Sequence, residues 1–577
     1  MKKQLIALGL GFASMGLFST FACAQDTQPK LVLQITVDGL RGDLLERYKH
    51  NFTDGGFRYL MDNGVYYRNA HYQHANTETI VGHASLATGA PPSVHGMVGN
   101  VWYDRAQQRL VYNVEDGDYQ ILTQQAGVDQ STEIDPTQRT AKQDGRSPAP
   151  MLVSTFSDEL TISNNGRSKV FAVSTKDRGA IALAGHTGKA FWFSKATAEF
   201  VTSDYYYTRY PSWVETWNKK NVPSQYSGKR WELALARDKY TLEEVSQQHK
   251  FDLAGFQRTF PHPYGPESFP YYSTMLTISP AGDEITADFA KTLLEEEQLG
   301  RRSVTDFLAI SFSSNDYVLH LYGPSSLEAE DNLIRLDRTL QGLFAEIDKR
   351  VGLDNTVIVL SADHGAPEAS PVAASLGLKQ AQYFDKSNLL TDNLKQRLAT
   401  KFAVNEEIIR LYAQPYVYLN HELIKQKSID LAQLQAVIAE EAMKIKGVAS
   451  AVTSEDIATG RLADSYLNTM VSNNYHANRS GDVYLVFEPR TYINDMDGLT
   501  VASTHGSPWR YDTHVPVIFA GHNISAQKVT TAITPYDIAP TLSNLLGITL
   551  PSGATGNVLN EVTNTMSKTV SNTASNK

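Results

Sequence analysis

Three aspartates and three histidines stand where a metal-dependent reaction would need them. Asp38 closes the apolar run Leu31–Val37. Asp316 comes four residues after Phe307–Phe312, and His320 four residues later. Asp363 and His364 follow Thr356–Leu360 and precede Gly365, and His505 stands in Ser503-Thr504-His505-Gly506, ahead of Val515–Ala520. Asp316 and His320, at i and i+4, share one face of a helical turn and can bind one ion together. Asp363 and His364 would diverge in a helix or strand, but a loop with flexible Gly365 behind it can turn both inward. Mixed carboxylate and imidazole donors suit Zn²⁺, and Mn²⁺ or Fe less specifically. Six such donors suit two ions with three protein ligands each, leaving positions open for nucleophile and substrate. Two divalent ions against three aspartates leave the site net positive, which favours an anionic substrate. Paired ions about 4 Å apart suit the clamping of attacking and leaving oxygens in an in-line phosphoryl displacement. Singly, an Asp-x-x-x-His pair or an Asp-His-Gly turn is commonplace. Their conjunction after separate apolar runs carries the reading.

The candidate nucleophile lies in Asn76-Thr77-Glu78-Thr79-Ile80-Val81-Gly82-His83-Ala84-Ser85, a loop entering a helix that runs to Thr88-Gly89. A threonine here can simply cap the helix. Alternatively its oxygen binds a metal, which lowers its pKa and makes it reactive at workable pH, helped by the positive end of the helix. Spacing alone does not separate Thr77 from Thr79. Lys176 and Arg178 follow the run Lys169–Val173, and Asn100 lies in Gly99-Asn100-Val101-Trp102. The two cations read either as a solvated loop partly neutralised by Asp177 or as an anion-binding pair.

The elements that must position these residues follow from apolar patterning. Leu31–Val37, Lys169–Val173, Phe307–Phe312, Thr356–Leu360 and Val515–Ala520 are short, continuous and rich in branched residues, which predicts buried parallel strands. Ile285–Leu299 and Asp331–Val351 carry helical spacing, the latter through Leu333, Leu336, Leu340 and Leu343. Alternating strands and helices predict an α/β fold, a mostly parallel central sheet with helices on both faces, whose ligands sit at the carboxyl ends of strands. Two stretches break the rhythm, at about 190–275 and about 370–500, and read as insertions that cap the sheet end. Within the second, Asp430–Lys446 is helix-like and Asp482–Phe487 strand-like. The tail 560–577 is nearly devoid of apolar residues and predicts disorder.

Composition narrows the partners. The 577 residues are 42 % apolar and 20 % charged with a formal charge of −10, which suits a globular chain and disfavours nucleic acid as a specific partner. Lys2 and Lys3, the apolar run Leu5–Phe21 and Ala22-Cys23-Ala24 compose a cleaved export signal over 1–24, giving a periplasmic mature chain from Gln25. Anchoring through Cys23 as a lipoprotein is the lesser alternative. Cys23 is the only cysteine, so the mature chain has no disulfide, no thiolate ligand and no thiol nucleophile. No later stretch has transmembrane length. A monomer is the expectation.

Together, ITVDGLRGD, TETIVGHASLATG, STKDRGAI, SSNDYVLHLYGP, SADHGAPE, STHGSPW and DIAPTLSNLLGI resemble the alkaline phosphatase superfamily. The chain is most similar to its PafA-type, phosphate-irrepressible members, within the type I phosphodiesterase/nucleotide pyrophosphatase branch, from Leu31 to about Leu559. The resemblance implies that Thr79, followed by two residues and then Gly-His, is the nucleophile. It implies one zinc on Asp316, His320 and His505, and a second on Asp38, Asp363 and His364, with Thr79 completing that shell. It also implies a covalent phosphothreonine. Asn100, Lys176 and Arg178 match the residues that contact the non-bridging phosphoryl oxygens in monoesterase members. The expected activity is therefore hydrolysis of small phosphate monoesters with broad specificity, and a phosphodiesterase on the same two-zinc site is the alternative.

Overall fold

The computed structural model describes residues 28–242, 250–496 and 498–563. The expected export signal and the tail from residue 564 onward lie outside the described residues. A nine-stranded sheet organises the chain. Its strands are β1 (Leu31–Val37), β2 (Val65–His71), β3 (Val170–Ser174), β4 (Lys189–Ser194), β5 (Glu199–Val201), β6 (Asp306–Phe312), β7 (Thr356–Ser361), β8 (His514–Gly521) and β9 (Gln527–Val529). They lie in the order β9-β2-β8-β7-β1-β6-β3-β4-β5. The central run β7-β1-β6-β3-β4 is parallel.

Burial on both faces explains the unbroken apolar runs. In β1, Leu31, Leu33, Ile35 and Val37 enter one hydrophobic layer while Val32 enters the other. Leu308 and Ile310 of β6 alternate in the same way with Phe307 and Ala309. Helices Pro280–Glu296 and Leu327–Arg350 cover the first face, and Thr79–Thr88, Asp177–Ala184 and Ile538–Leu546 cover the second. The helices expected over 285–299 and 331–351 begin earlier, at Pro280 and Leu327. Proline suits a first helical turn, and the Ser326 side chain caps the second helix by accepting from the Ala329 N–H.

One expected strand runs the other way. Val515–Ala520 lies in β8, which is antiparallel to both β7 and β2. Its amino end therefore sits beside the carboxyl end of β7. This is why His505 can precede its strand yet share an end of the sheet with residues that follow theirs.

The two irregular stretches are built differently. Residues 190–201 lie mostly in the last two strands at one side of the main sheet, and Trp213, Trp217 and Trp231 beyond them are buried in the first layer. The later stretch builds a four-stranded sheet of its own, in the order Ile409–Ala413, Tyr416–Leu419, Val483–Phe487, Val448–Thr453, with a separate apolar cluster. The start of the expected disordered tail is docked: Val562 is buried, and Glu561 accepts a hydrogen bond from Tyr67 at 3.1 Å. Among the described residues no helix is long and apolar enough to cross a membrane.

Candidate active site

The order of strands becomes the order of chemistry. Reading β7, β1, β6, β3 across the sheet, their carboxyl ends deliver Asp363 with His364, then Asp38, then Asp316 with His320, then Lys176 with Arg178. The loop before β8 brings His505, and the loop after β2 brings Thr79. Two trios result, Asp38/Asp363/His364 and Asp316/His320/His505, each with its ligand atoms within 4.8 Å of one another. The trios are neighbours: the His364 and His505 rings stack at 3.5 Å. The Lys176 ammonium joins them, at 2.9 Å from Asp38 Oδ2 and 2.6 Å from Asp316 Oδ2.

The donors are arranged for metal ions. Each histidine turns its Nδ1 to a backbone carbonyl: His320 to Ser503 at 2.8 Å, His364 to Gly365 at 2.9 Å and His505 to Thr77 at 2.7 Å. An N–H donated there leaves the Nε2 lone pair free, the usual outer-shell control of a ligating imidazole. Asp363 Oδ1 accepts the Gly39 and His364 N–H groups, both at 3.0 Å. Asp363 Oδ2, Asp38 Oδ1, His364 Nε2 and Thr79 Oγ1 are buried without a hydrogen-bond partner. Buried polar atoms are seldom left so, and four in one place fit cation ligation. Charge tells the same story. Burial opposes a charged His364, but the Asp363 carboxylate, with the Asp38 and Asp316 carboxylates nearby, overrides it and pushes the imidazole up to about 10. Burial likewise opposes ionisation of Asp316, yet His320 and Lys176 hold its carboxyl well below the usual range. A divalent ion would replace such protons.

The structure separates the two threonines. The Thr77 hydroxyl donates to the Ser507 carbonyl and accepts the Ser507 N–H, both at 3.0 Å, and so ties down the loop that carries His505. Thr79 is the first residue of the helix Thr79–Thr88, and its hydroxyl caps nothing. That helix packs tightly against the β7 loop: a Cβ on Gly82 would lie 2.0 Å from the Asp363 carbonyl oxygen, so only glycine fits. His83 braces the turn from below, with Nδ1 at 2.8 Å from the Thr79 carbonyl and Nε2 at 2.8 Å from Ser311 Oγ.

A cavity of about 460 Å³ opens over this floor and is lined by Thr79, Asn100, Lys176, Arg178, Asp316, His320 and His505. Asn100 Oδ1 accepts the Ile80 N–H at 3.1 Å, which fixes the side chain beside Thr79. Glu78 Oε2 accepts the Asn100 N–H at 2.5 Å, and burial pushes the Glu78 carboxyl up to about 7. Arg178 is not a solvated loop residue. Its guanidinium is buried, donating to Asp135 Oδ2 at 2.9 Å and Tyr112 Oη at 3.2 Å, and its Nε has no partner. Tyr112 in turn donates to Asp177 Oδ1 at 2.5 Å, whose other oxygen accepts from Arg146 Nε at 2.7 Å.

Sequence reasoning missed Asp135, Tyr112, Arg146 and Glu78. Asp135 precedes Pro136 and Thr137, and its Oδ1 caps the short helix Pro136–Arg139 by accepting the Thr137 N–H. That capping pattern is visible in the sequence, but the partner of its second oxygen is 43 residues away.

The model of the type I phosphodiesterase / nucleotide pyrophosphatase family matches residues 32–508. The chain belongs to this family. It is 33 % identical to alkaline phosphatase PafA of Elizabethkingia meningoseptica over 570 residues, covering 97 % of this chain and 99 % of the relative. It is also 32 % identical to a protein of Myroides odoratus named as a calcium-transporting ATPase, covering 94 % and 96 % of the two chains. The crystal structure of wild-type PafA superposes with a TM-score of 0.83 at 31 % identity, covering 93 % of this chain and 99 % of that one. The fold is thus alkaline-phosphatase-like.

Proposed function

We propose that the protein is an exported, periplasmic, monomeric alkaline phosphatase. In this reading it hydrolyses phosphate monoesters to an alcohol and inorganic phosphate, with two zinc ions and a phosphothreonine on Thr79. One observation carries the reading: an unpartnered, buried Thr79 hydroxyl faces a cavity shared by a metal-ligand trio and three phosphoryl-directed side chains. The similarity to PafA and its printed name support it.

Asp38, Asp363, His364 and Thr79 would hold one ion, and Asp316, His320 and His505 the other. Two bound divalent ions would supply Lewis-acid charge to the phosphoryl oxygens and lower the pKa of a hydroxyl or water. The rest is done by the chain. Asn100 offers its amide N–H groups, Arg178 its guanidinium and Lys176 its ammonium to the non-bridging oxygens. Thr79 Oγ1 attacks phosphorus, its proton passing to solvent, while the bond to the leaving oxygen breaks and that oxygen takes a proton. Water then displaces Thr79 from the phosphothreonine, releasing phosphate and restoring the hydroxyl. Three groups directed at non-bridging oxygens match a dianionic monoester better than a diester, which carries one charged oxygen fewer.

The phosphodiesterase alternative uses the same residues, with the apolar outer wall of the cavity holding the second ester group. Matched aryl monoester and diester substrates decide between them on metal-replete enzyme. A higher kcat/KM for the monoester is expected, and a diester preference overturns the monoesterase reading.

A further inference from the structure

We propose that the outer half of the cavity is a leaving-group subsite for aromatic or other uncharged apolar groups, and that the hairpin Asp495–Met496/Leu499–Thr500 sets this preference. The proposal rests on the phosphatase reading above and names the substrate class of that site.

The cavity has two unlike ends. Its floor carries the charged groups already described. The same cavity is also lined by Val101, Leu110, Tyr412, Ile493, Met496 and Leu499, of which only Tyr412 brings a polar side-chain atom, a buried hydroxyl without a hydrogen-bond partner. These residues come from separate elements: the hairpin Val101–Asp104/Arg109–Tyr112, the strand Ile409–Ala413, and the segment leading into the hairpin Asp495–Met496/Leu499–Thr500. Convergence of apolar side chains from three elements on one space is what a preformed apolar site requires. A volume of about 460 Å³ exceeds what a phosphoryl group fills and lies within the range of small-molecule pockets.

Charge at the mouth argues against an anionic leaving group. The basic residues lining the cavity are Lys176, Arg178 and Lys386. The first two belong to the floor, and Arg178 is paired with Asp135. Lys386 at the mouth lies 3.2 Å from the Asp495 carboxylate. A second phosphate or a carboxylate on the leaving group would therefore meet Asp495 and apolar carbon rather than a free cation. Such a group loses hydration without a partner to replace it. An aromatic ring loses nothing polar and gains by burial.

Phosphonates test this without turnover. Calorimetric titration of the metal-replete full-length protein with benzylphosphonate, methylphosphonate and phosphonoacetate separates the two ends of the cavity. Benzylphosphonate is expected to bind about ten-fold tighter than methylphosphonate, and phosphonoacetate no tighter. Leu499→Asp, with Met496→Ser as a milder second variant, should remove most of the benzyl advantage and leave methylphosphonate affinity in place. Retained methylphosphonate binding also reports a folded floor. Equal affinity for benzyl- and methylphosphonate, tighter binding of phosphonoacetate, or equal loss of both ligands in both variants would overturn the proposal. Failure of the phosphatase reading looks different: the wild-type enzyme would then turn over neither aryl nor alkyl monoesters, whatever the order of phosphonate affinities.

Discussion

The floor and the wall of one cavity are built on different principles. The floor is assembled by four adjacent parallel strands, and its order across the site copies the order of those strands in the sheet. Its polar groups are buried and held by backbone hydrogen bonds. The wall is assembled from hairpins and from the later stretch with its own small sheet, and Val101, Leu110, Met496 and Leu499 are only partly buried. A rigid sheet end suits chemistry that needs fixed geometry. Hairpins clipped onto it can vary in sequence at little cost to that geometry.

If the floor does the chemistry, the largest effects must come from changing it. Thr79→Ala should lower kcat on an aryl phosphate by on the order of 10³-fold or more, with the protein still folded by circular dichroism. Near-normal turnover in that variant would remove Thr79 as nucleophile. Next comes metal removal. Chelation should abolish activity and lower Tm, because Asp38, Asp363 and Asp316 are then buried with only Lys176 and the imidazoles to neutralise them. Zinc should restore both. A chelated protein with unchanged Tm and activity would contradict two bound ions.

The border between floor and wall is tested by Asp135, which reaches in from a loop to hold Arg178. Asp135→Ala should lower monoester kcat/KM by about 10- to 100-fold and spare diester turnover. In an Arg178→Ala background it should add almost nothing, since its effect passes through the guanidinium. A full additive loss there would mean that Asp135 acts only on the local fold.

The smallest effect concerns pH and lies behind the floor. Burial pushes the Asp283 carboxyl up to about 7 from its ordinary 3.8, against a hydrogen bond from the Ser314 N–H at 3.1 Å. Between those pH values the folded protein keeps a proton that the unfolded chain has lost, so stability falls as pH rises through this window. Asp283→Asn should therefore match the wild type near pH 4 and be more stable by roughly 1–3 kcal/mol near pH 8, read by urea unfolding. A variant equally destabilised at both pH values would show that the carboxylate makes a contact the amide cannot.

Much of the floor could be read from the sequence, because it rests on local rules. Apolar runs ending in Asp38, Asp316 or Asp363 mark strand ends, and i,i+4 spacing pairs Asp316 with His320. What could not be read is non-local. Nothing in Val515–Ala520 marks β8 as antiparallel, since a strand buried on both faces looks the same in either direction. Thr77 and Thr79 differ only in what they touch, and Ser507 lies 430 residues from Thr77. The apolar wall was invisible for the same reason: Leu110, Tyr412 and Leu499 are unremarkable until the fold brings them over Thr79.

If Thr79 is the nucleophile, it carries the phosphoryl group during turnover. Rapid acid quench of the metal-replete enzyme with an aryl monoester, followed by peptide mass spectrometry, reads this directly. Phosphate on Thr79, and none on the same peptide of Thr79→Ala, is the expected result. Phosphate on another residue, or undiminished turnover with Thr79 never modified, would contradict it.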